Sequence, residues 1–352
     1  MNILLFGEYS GLHNNLKNGL QKLGHSVKIA ANGDGFKKLE SDISLGSSSP
    51  NLYGKLERLI LPFLKIKDFE GYDITQFINS NPLTVCTVNK LLSKKILSFK
   101  GKKFLLACGD DPVFYQNLSK FRYHPYSSVE NDNLNHIPTY SKTYVDIHNL
   151  FVESVDGIIP AMIEYADGYR KHPKIQSTIP LPIDTENIIY KDNIINSKIH
   201  FFHGLNRPFF KGTSIIEEAL KRLESKYPND VKITIAGNMS QKEYLTVLDS
   251  VNVVLDQCKS YSYGMNTLYS LSKGKLVMSG SEPEALEELG IDESKCPILN
   301  IQPDVNQIYE QLVLLLEKRN EIRDLGYDSR KFVEKYHDSE IIAKKYIEIW
   351  QK

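Results

Sequence analysis

The chain has 352 residues, 41% of them hydrophobic, with 43 basic and 43 acidic side chains and no formal net charge. That length exceeds what one hydrophobic core usually serves, so two domains of ordinary size are expected. The charge balance removes the broad electrostatic footprint of a nucleic-acid binder, and any anion site must be local. Cys86, Cys108, Cys258 and Cys296 are too widely spaced for a disulfide framework or a zinc pattern. The start, Met1 to Gly7, lacks a basic region and has too short an apolar run for a signal peptide. No apolar stretch reaches transmembrane length, so a cytoplasmic protein is expected.

In chain order, Ile3 to Phe6 reads as a buried parallel strand and Gly7 to Gly11 as a turn. Leu12, Leu16, Leu20 and Leu23 then mark one face of a helix that Gly24 ends. Val27 to Ala30, Asp73 to Phe77, Phe104 to Ala107 and Gly157 to Ile159 continue the strands, with a helix over Leu83 to Leu97. Val113 to Leu150, rich in Tyr, His, Asn and Ser, reads as a long irregular excursion at the carboxyl ends of the strands. IPLPID, Ile179 to Asp184, reads as a stiff connector. The alternation then repeats, with strands at Ile199 to Phe202, Val231 to Ala236, Val251 to Leu255, Leu276 to Met278 and Ile298 to Ile301. Helices are expected over Thr213 to Lys226, Gln241 to Ser250, Asn266 to Lys273, Asp304 to Lys318 and Ser339 to Trp350. The predicted class is α/β, two Rossmann-like domains facing a cleft, with boundaries 1–180, 181–336 and a final helix in 337–352.

Several of these segments resemble the retaining glycosyltransferases of family 4, which have the GT-B fold. NILLFGEYSG followed by GHSVKIAA resembles their opening strand, glycine loop and second strand, and places Gly11 beside a ligand. YDITQF, VDGIIP and IPLPID follow in the family's order. FFHGLNRPFFKGTSIIEEAL resembles the strand, basic loop and Lys-Gly helix start, so Gly204, Arg207 and Lys211 are nominated to hold a donor diphosphate. A cation suits the positive end of a helix dipole when an anion is expected there; two solvated surface cations are the alternative. VKITIAGN nominates Gly237 and Asn238 beside the nucleobase, or as a simple turn.

VVLDQCKSYSYGMNTLYSLSKGKLVMSG resembles the family's donor core, a strand, a loop ending in Gly264, a helix opened by Met265 and Asn266, and a second strand. A glycine at a helix start lets backbone approach a phosphate closely. The family's two glutamates are replaced by Tyr261, three residues before Gly264, and Tyr269, five after it. Glu282 and Glu284, just past the next strand, either supply a replacement carboxylate or sit in the first turn of a helix. Asp110 and Asp111 end a buried strand in LLACGDDP, where a carboxylate can orient or deprotonate an acceptor hydroxyl; Asp-Asp-Pro is also ordinary turn chemistry. His124, His136 and His148 show no metal spacing.

The resemblance implies a nucleotide-sugar donor, a glycan or lipid-linked acceptor in surface polysaccharide or glycoconjugate synthesis, and retaining transfer without a metal or bound cofactor. Leu56 to Lys67 mixes apolar and basic residues and, with the lysines of 90–103, suits either a packed helix or a peripheral contact with an anionic membrane. The rival readings are a silent relative that binds a nucleotide-sugar or a partner enzyme, and a sugar-nucleotide epimerase.

Overall fold

A computed structural model describes residues 1–83, 86–127 and 141–352. The chain forms two compact units. Of the described residues, 1–83, 86–120, 141–182 and 339–352 belong to one, and 121–127 and 183–338 to the other.

In unit 1, β1 (Asn2–Phe6), β2 (Ser26–Ala31), β3 (Ile43–Ser44), β4 (Ile74–Phe77), β5 (Lys102–Ala107) and β6 (Gly157–Pro160) form one sheet. Their order is β3-β2-β1-β4-β5-β6, and every pairing is parallel. Ile3, Leu4, Leu5 and Phe6 are fully buried, because helices cover both faces of a parallel sheet. The winding direction reverses between β1 and β4, where such sheets open a crevice at their carboxyl ends. β3 escaped the sequence reading because two residues leave no alternation to detect.

The irregular excursion is corrected. Its ends are helices, Pro112–Asn117 and Lys142–Ser154. The first is capped by Asp111 with Pro112 at its start, and the second by Ser141, whose hydroxyl accepts from Tyr144 N at 3.2 Å. Tyr144, Ile147 and Phe151 form the buried stripe of the second helix, interrupted in sequence by polar residues. His136 lies outside the described residues.

The final helix, Ser339–Gln351, belongs to unit 1. Trp350 packs near Phe104, ring centroids 6.4 Å apart, and Lys102 Nζ donates to Trp350 O at 3.2 Å. The helix Leu12–Lys22 lies against its start so closely that a Cβ on Gly19 would stand 2.0 Å from Ser339 O. The helix Leu52–Leu64 differs: Leu52, Tyr53, Leu56, Ile60 and Leu64 are exposed along it.

Unit 2 contains β7 (Ile199–Gly204), β8 (Val231–Ala236), β9 (Val253–Leu255), β10 (Leu276–Ser279) and β11 (Leu299–Asn300). They are parallel in the order β11-β10-β9-β7-β8. Phe201, Val253, Leu255 and Met278 pack with Ile216, Leu220 and Leu312 in one buried core. Residues 121–127 differ from expectation, since they lie inside the span 1–180 yet join unit 2 through their aromatic and arginine side chains.

Two predictions follow from unit 1. Gly19→Ala places a methyl against backbone that cannot step aside, and urea denaturation should show a loss of about 1–3 kcal/mol. Glu8, just past β1, is 4% exposed, and burial raises its carboxyl from 4.5 to about 7. Below about pH 4.5 it is protonated in folded and unfolded chains alike. Between about 4.5 and about 7 the unfolded chain releases the proton and the folded chain keeps it. Stability therefore falls as pH rises through that window, by roughly 3 kcal/mol in total, and is level above it. Glu8→Gln should flatten this slope and be the more stable protein at about pH 8.

Candidate functional site

The helix Met265–Ser272 begins at the carboxyl edge of the unit 2 sheet. Gly264 precedes it in extended conformation, and nothing lies within 4 Å of where its Cβ would stand. The amides of Met265 and Asn266 are among the first-turn N–H groups that no helical carbonyl can satisfy, so the start carries partial positive charge beside open space. The loop before it is pinned on three sides. Tyr263 is buried with its hydroxyl 2.9 Å from His337 Nε2, and Gln257 Nε2 donates to Ser262 O at 2.8 Å. Gly280 runs so near that a Cβ there would meet Ser260 O at 1.9 Å.

Lys211 ends the short helix Pro208–Lys211 after β7. It is only 6% exposed, and its Nζ donates to Asp256 Oδ1 at 2.7 Å. It also reaches Gly204 O at 3.4 Å. Asp256 follows β9, and its other oxygen accepts from Thr267 Oγ1 at 3.0 Å. Burial pushes the Asp256 carboxyl up, but the Lys211 ammonium together with the Thr267 hydrogen bond and His203 holds the group below the ordinary range. Burial, and then Lys211, push His203 down to about 4, so its ring is neutral. Its Nδ1–H donates to Leu255 O and its Nε2 accepts from Thr213 Oγ1, both at 2.8 Å. Lys211, nominated to hold a diphosphate, is thus buried with its charge matched by Asp256. Arg207 instead lies exposed at a left-handed φ of 54°, its guanidinium 3.9 Å from the Phe210 ring centroid. Gly237 and the left-handed Asn238 follow β8, and a Cβ on Gly237 would meet Leu205 Cβ at 2.7 Å. That packing brings their turn beside the loop after Gly204.

Tyr261 and Tyr269 are each 4% exposed. Tyr269 accepts a hydrogen bond from Gln241 Nε2. The Tyr261 hydroxyl accepts from Arg122 N at 2.9 Å, and its ring lies 5.0 Å from those of Phe121 and Tyr123. Glu282 stands beside it, its backbone N donating to Tyr261 O at 2.9 Å. The Glu282 carboxylate accepts from four side chains: Arg122 at 2.5 Å, Tyr123 at 2.6 Å, Asn300 at 2.8 Å and Gln302 at 2.9 Å. Burial raises its pKa, but these hydrogen bonds and Arg122 together leave it below the usual value. Its four donors favour the ionised form and hold the carboxylate in place. Glu284, in the first turn of the helix Pro283–Glu288, joins Arg122 at 3.3 Å. Tyr126 lies 6.2 Å from both Phe209 and Phe210, so residues 121–127 form a strap across the loops after β7 and β9.

Of the unit 1 candidates, Gly11 has φ 86° and opens the helix Leu12–Lys22. Asp111 is buried with both oxygens engaged: Oδ1 caps its helix at Phe114 N, 2.7 Å, and Oδ2 accepts from Tyr169 at 2.8 Å. Asp110 is half-buried, with Tyr115 donating to Oδ2 at 3.3 Å. The sequence reading missed Asp256, although an acid directly after a buried strand is a usable signal. Arg122 and Tyr123 carried none, being 159 or 160 residues from Glu282. Lys211→Met should therefore leave Asp256 buried and unpaired, and chemical denaturation should register a loss of about 3–5 kcal/mol.

No protein-family model matches the chain, and no curated protein matches it. Solved structures do. Over 100% of this chain and 98% of the other, it superposes on the sucrose-phosphate synthase of Thermosynechococcus elongatus with a TM-score of 0.67 at 14% identity. HepE of Anabaena, in complex with UDP and glucose, gives a TM-score of 0.62 at 12% identity, covering 100% and 99%. An alpha-glucosyltransferase in complex with UDP and a 13-mer DNA gives 0.63 at 13%, covering both chains completely. At such identities the likeness is one of fold, and the two parallel-sheet Rossmann-like units are those of the GT-B glycosyltransferases.

Proposed function

We propose that the protein is a glycosyltransferase whose second unit binds a nucleotide-sugar at the Gly264 helix start and whose first unit binds a hydroxyl acceptor. The open, amide-lined space before Met265 carries this reading, because a departing nucleoside diphosphate needs preorganised positive charge and close backbone approach. UDP is the favoured nucleotide, since HepE and the alpha-glucosyltransferase hold it in the same fold. With Lys211 matched by Asp256, the diphosphate is left to the helix amides and Arg207. Tyr269 takes the ribose side and Tyr261 the sugar side, each with a neutral phenol in place of a carboxylate. The finer reading is a retaining, metal-independent transfer to a glycan or lipid-linked acceptor in surface polysaccharide synthesis, with Asp110 toward the acceptor. Among the described residues no helix is long and apolar enough to cross a membrane. The exposed apolar residues of Leu52–Leu64, flanked by Lys55 and Lys65, support a peripheral contact instead.

One observation favours a second reading, a silent relative that binds nucleotide without turnover: both tyrosine positions and Lys211 have their polar groups engaged within the protein. Turnover of UDP-sugars separates the readings. A product that requires an acceptor marks a transferase, an isomerised sugar nucleotide without acceptor marks an epimerase, and binding without product marks the silent relative. Gly264→Val fills the open space without a backbone penalty, since the position is extended. Calorimetry should show UDP affinity reduced at least about tenfold, the ~1.4 kcal/mol of one displaced contact, with an unchanged melting temperature. Full affinity in this variant would place the nucleotide elsewhere.

A further inference from the structure

A carboxylate has room for about four hydrogen bonds, and four donors fill Glu282. Asn300 and Gln302, from β11 and the segment after it, both reach Oε1. The other two come from the strap, Tyr123 to Oε1 and Arg122 to Oε2. Beside them the Tyr261 hydroxyl accepts from Arg122 N. Residues 122 and 123 therefore satisfy these polar groups as the hydroxyls of a bound ring would.

The strap is held differently from the rest of unit 2. Among the described residues, 121–127 pair with no strand. They are tied down by the bonds just named and by ring contacts with Tyr261, Phe209 and Phe210. The described residues on either side, up to Lys120 and from Ser141, belong to unit 1, so lifting the strap breaks no continuous stretch of unit 2 chain. The two ends of its ion pair also differ. The Arg122 side chain is 58% exposed and that of Glu282 only 3%. An exposed guanidinium returns to water at little cost, whereas a buried carboxylate that loses donors needs others in their place. An empty site thus holds the strap down, and a ligand that brings hydroxyls to Glu282 releases it.

We propose that the strap holds the place of the donor sugar, with Arg122 and Tyr123 occupying the positions at Glu282 and Tyr261 that sugar hydroxyls take when the strap lifts. This rests on the donor reading above and names that sugar's ligands. Asn300 and Gln302 keep the carboxylate in position once the strap has left. The Gly264 helix start is open with the strap in place, so a nucleotide alone binds without displacing it.

The test uses the full chain with UDP, UDP-glucose and UDP-N-acetylglucosamine as probes. Amide hydrogen exchange over 121–127, read by mass spectrometry, should rise at least about fivefold with a saturating UDP-hexose and change less than about twofold with UDP. Tyr123→Phe keeps the ring against Tyr261 and removes one donor to Glu282. It should bind the UDP-hexose at least about threefold more tightly than wild type, with UDP affinity within about twofold. Arg122→Met is the second variant and should act in the same direction. If a UDP-hexose binds while exchange over 121–127 stays level, the proposal is overturned and the donor reading stands. A UDP-hexose affinity that falls in Tyr123→Phe makes the strap part of the sugar's wall and also overturns it. So does UDP binding with no UDP-hexose binding in wild type or either variant. If no probe binds, UDP included, the donor reading falls and the proposal falls with it.

Discussion

The buried ion pair between Lys211 and Asp256 is the constraint around which the second unit's candidate site is arranged. It joins the loop after β7 to the end of β9, and through Thr267 it also holds the helix that Gly264 opens. Two charges removed from water are tolerable only when their hydrogen bonds are nearly complete. Here Asp256 accepts on both oxygens, and His203 beside the pair stays neutral, adding no second cation. The geometry of the helix start is thus set by an electrostatic lock beneath it. The same lock buries Lys211 against Asp256, while Arg207 stays exposed.

Glu282 plays a comparable part above the sheet edge. Its carboxylate receives hydrogen bonds from β11, from the segment after it and from the strap of residues 121–127. The strap's aromatic rings lie against Tyr261, which is part of a packed aromatic cluster. Tyr261 and Glu282 are structurally one unit, joined by a backbone hydrogen bond. A carboxylate is still present near this position, but it anchors a neighbouring segment and is held ionised by its partners.

Much of the architecture was legible in the residues. Strands such as Asn2–Phe6 and helices such as Thr213–Lys226 announce themselves because burial on both sheet faces demands continuous apolar runs and one-sided burial demands a helical stripe. The Gly264 helix start was equally legible, since glycine before an apolar helix is a local signal. Local sequence allowed two meanings for Asp111, acceptor-side carboxylate or turn residue; the fold engages both its oxygens, one as the cap of Pro112–Asn117 and one with Tyr169.

The sequence by itself determined the α/β alternation, the two-unit length and the glycine-opened helix starts that follow the strands, because each follows from periodicity or turn chemistry over a few neighbouring positions. Tertiary structure alone decided the charge state and availability of those residues. Lys211 is matched by an acid 45 residues away and Glu282 by a strap 160 residues away, while Glu8 keeps one buried oxygen without a hydrogen-bond partner. Whether a polar side chain is free or engaged depends on partners brought together by folding, and the energy of burying it depends on their distances. Neither quantity is carried by local spacing in the chain.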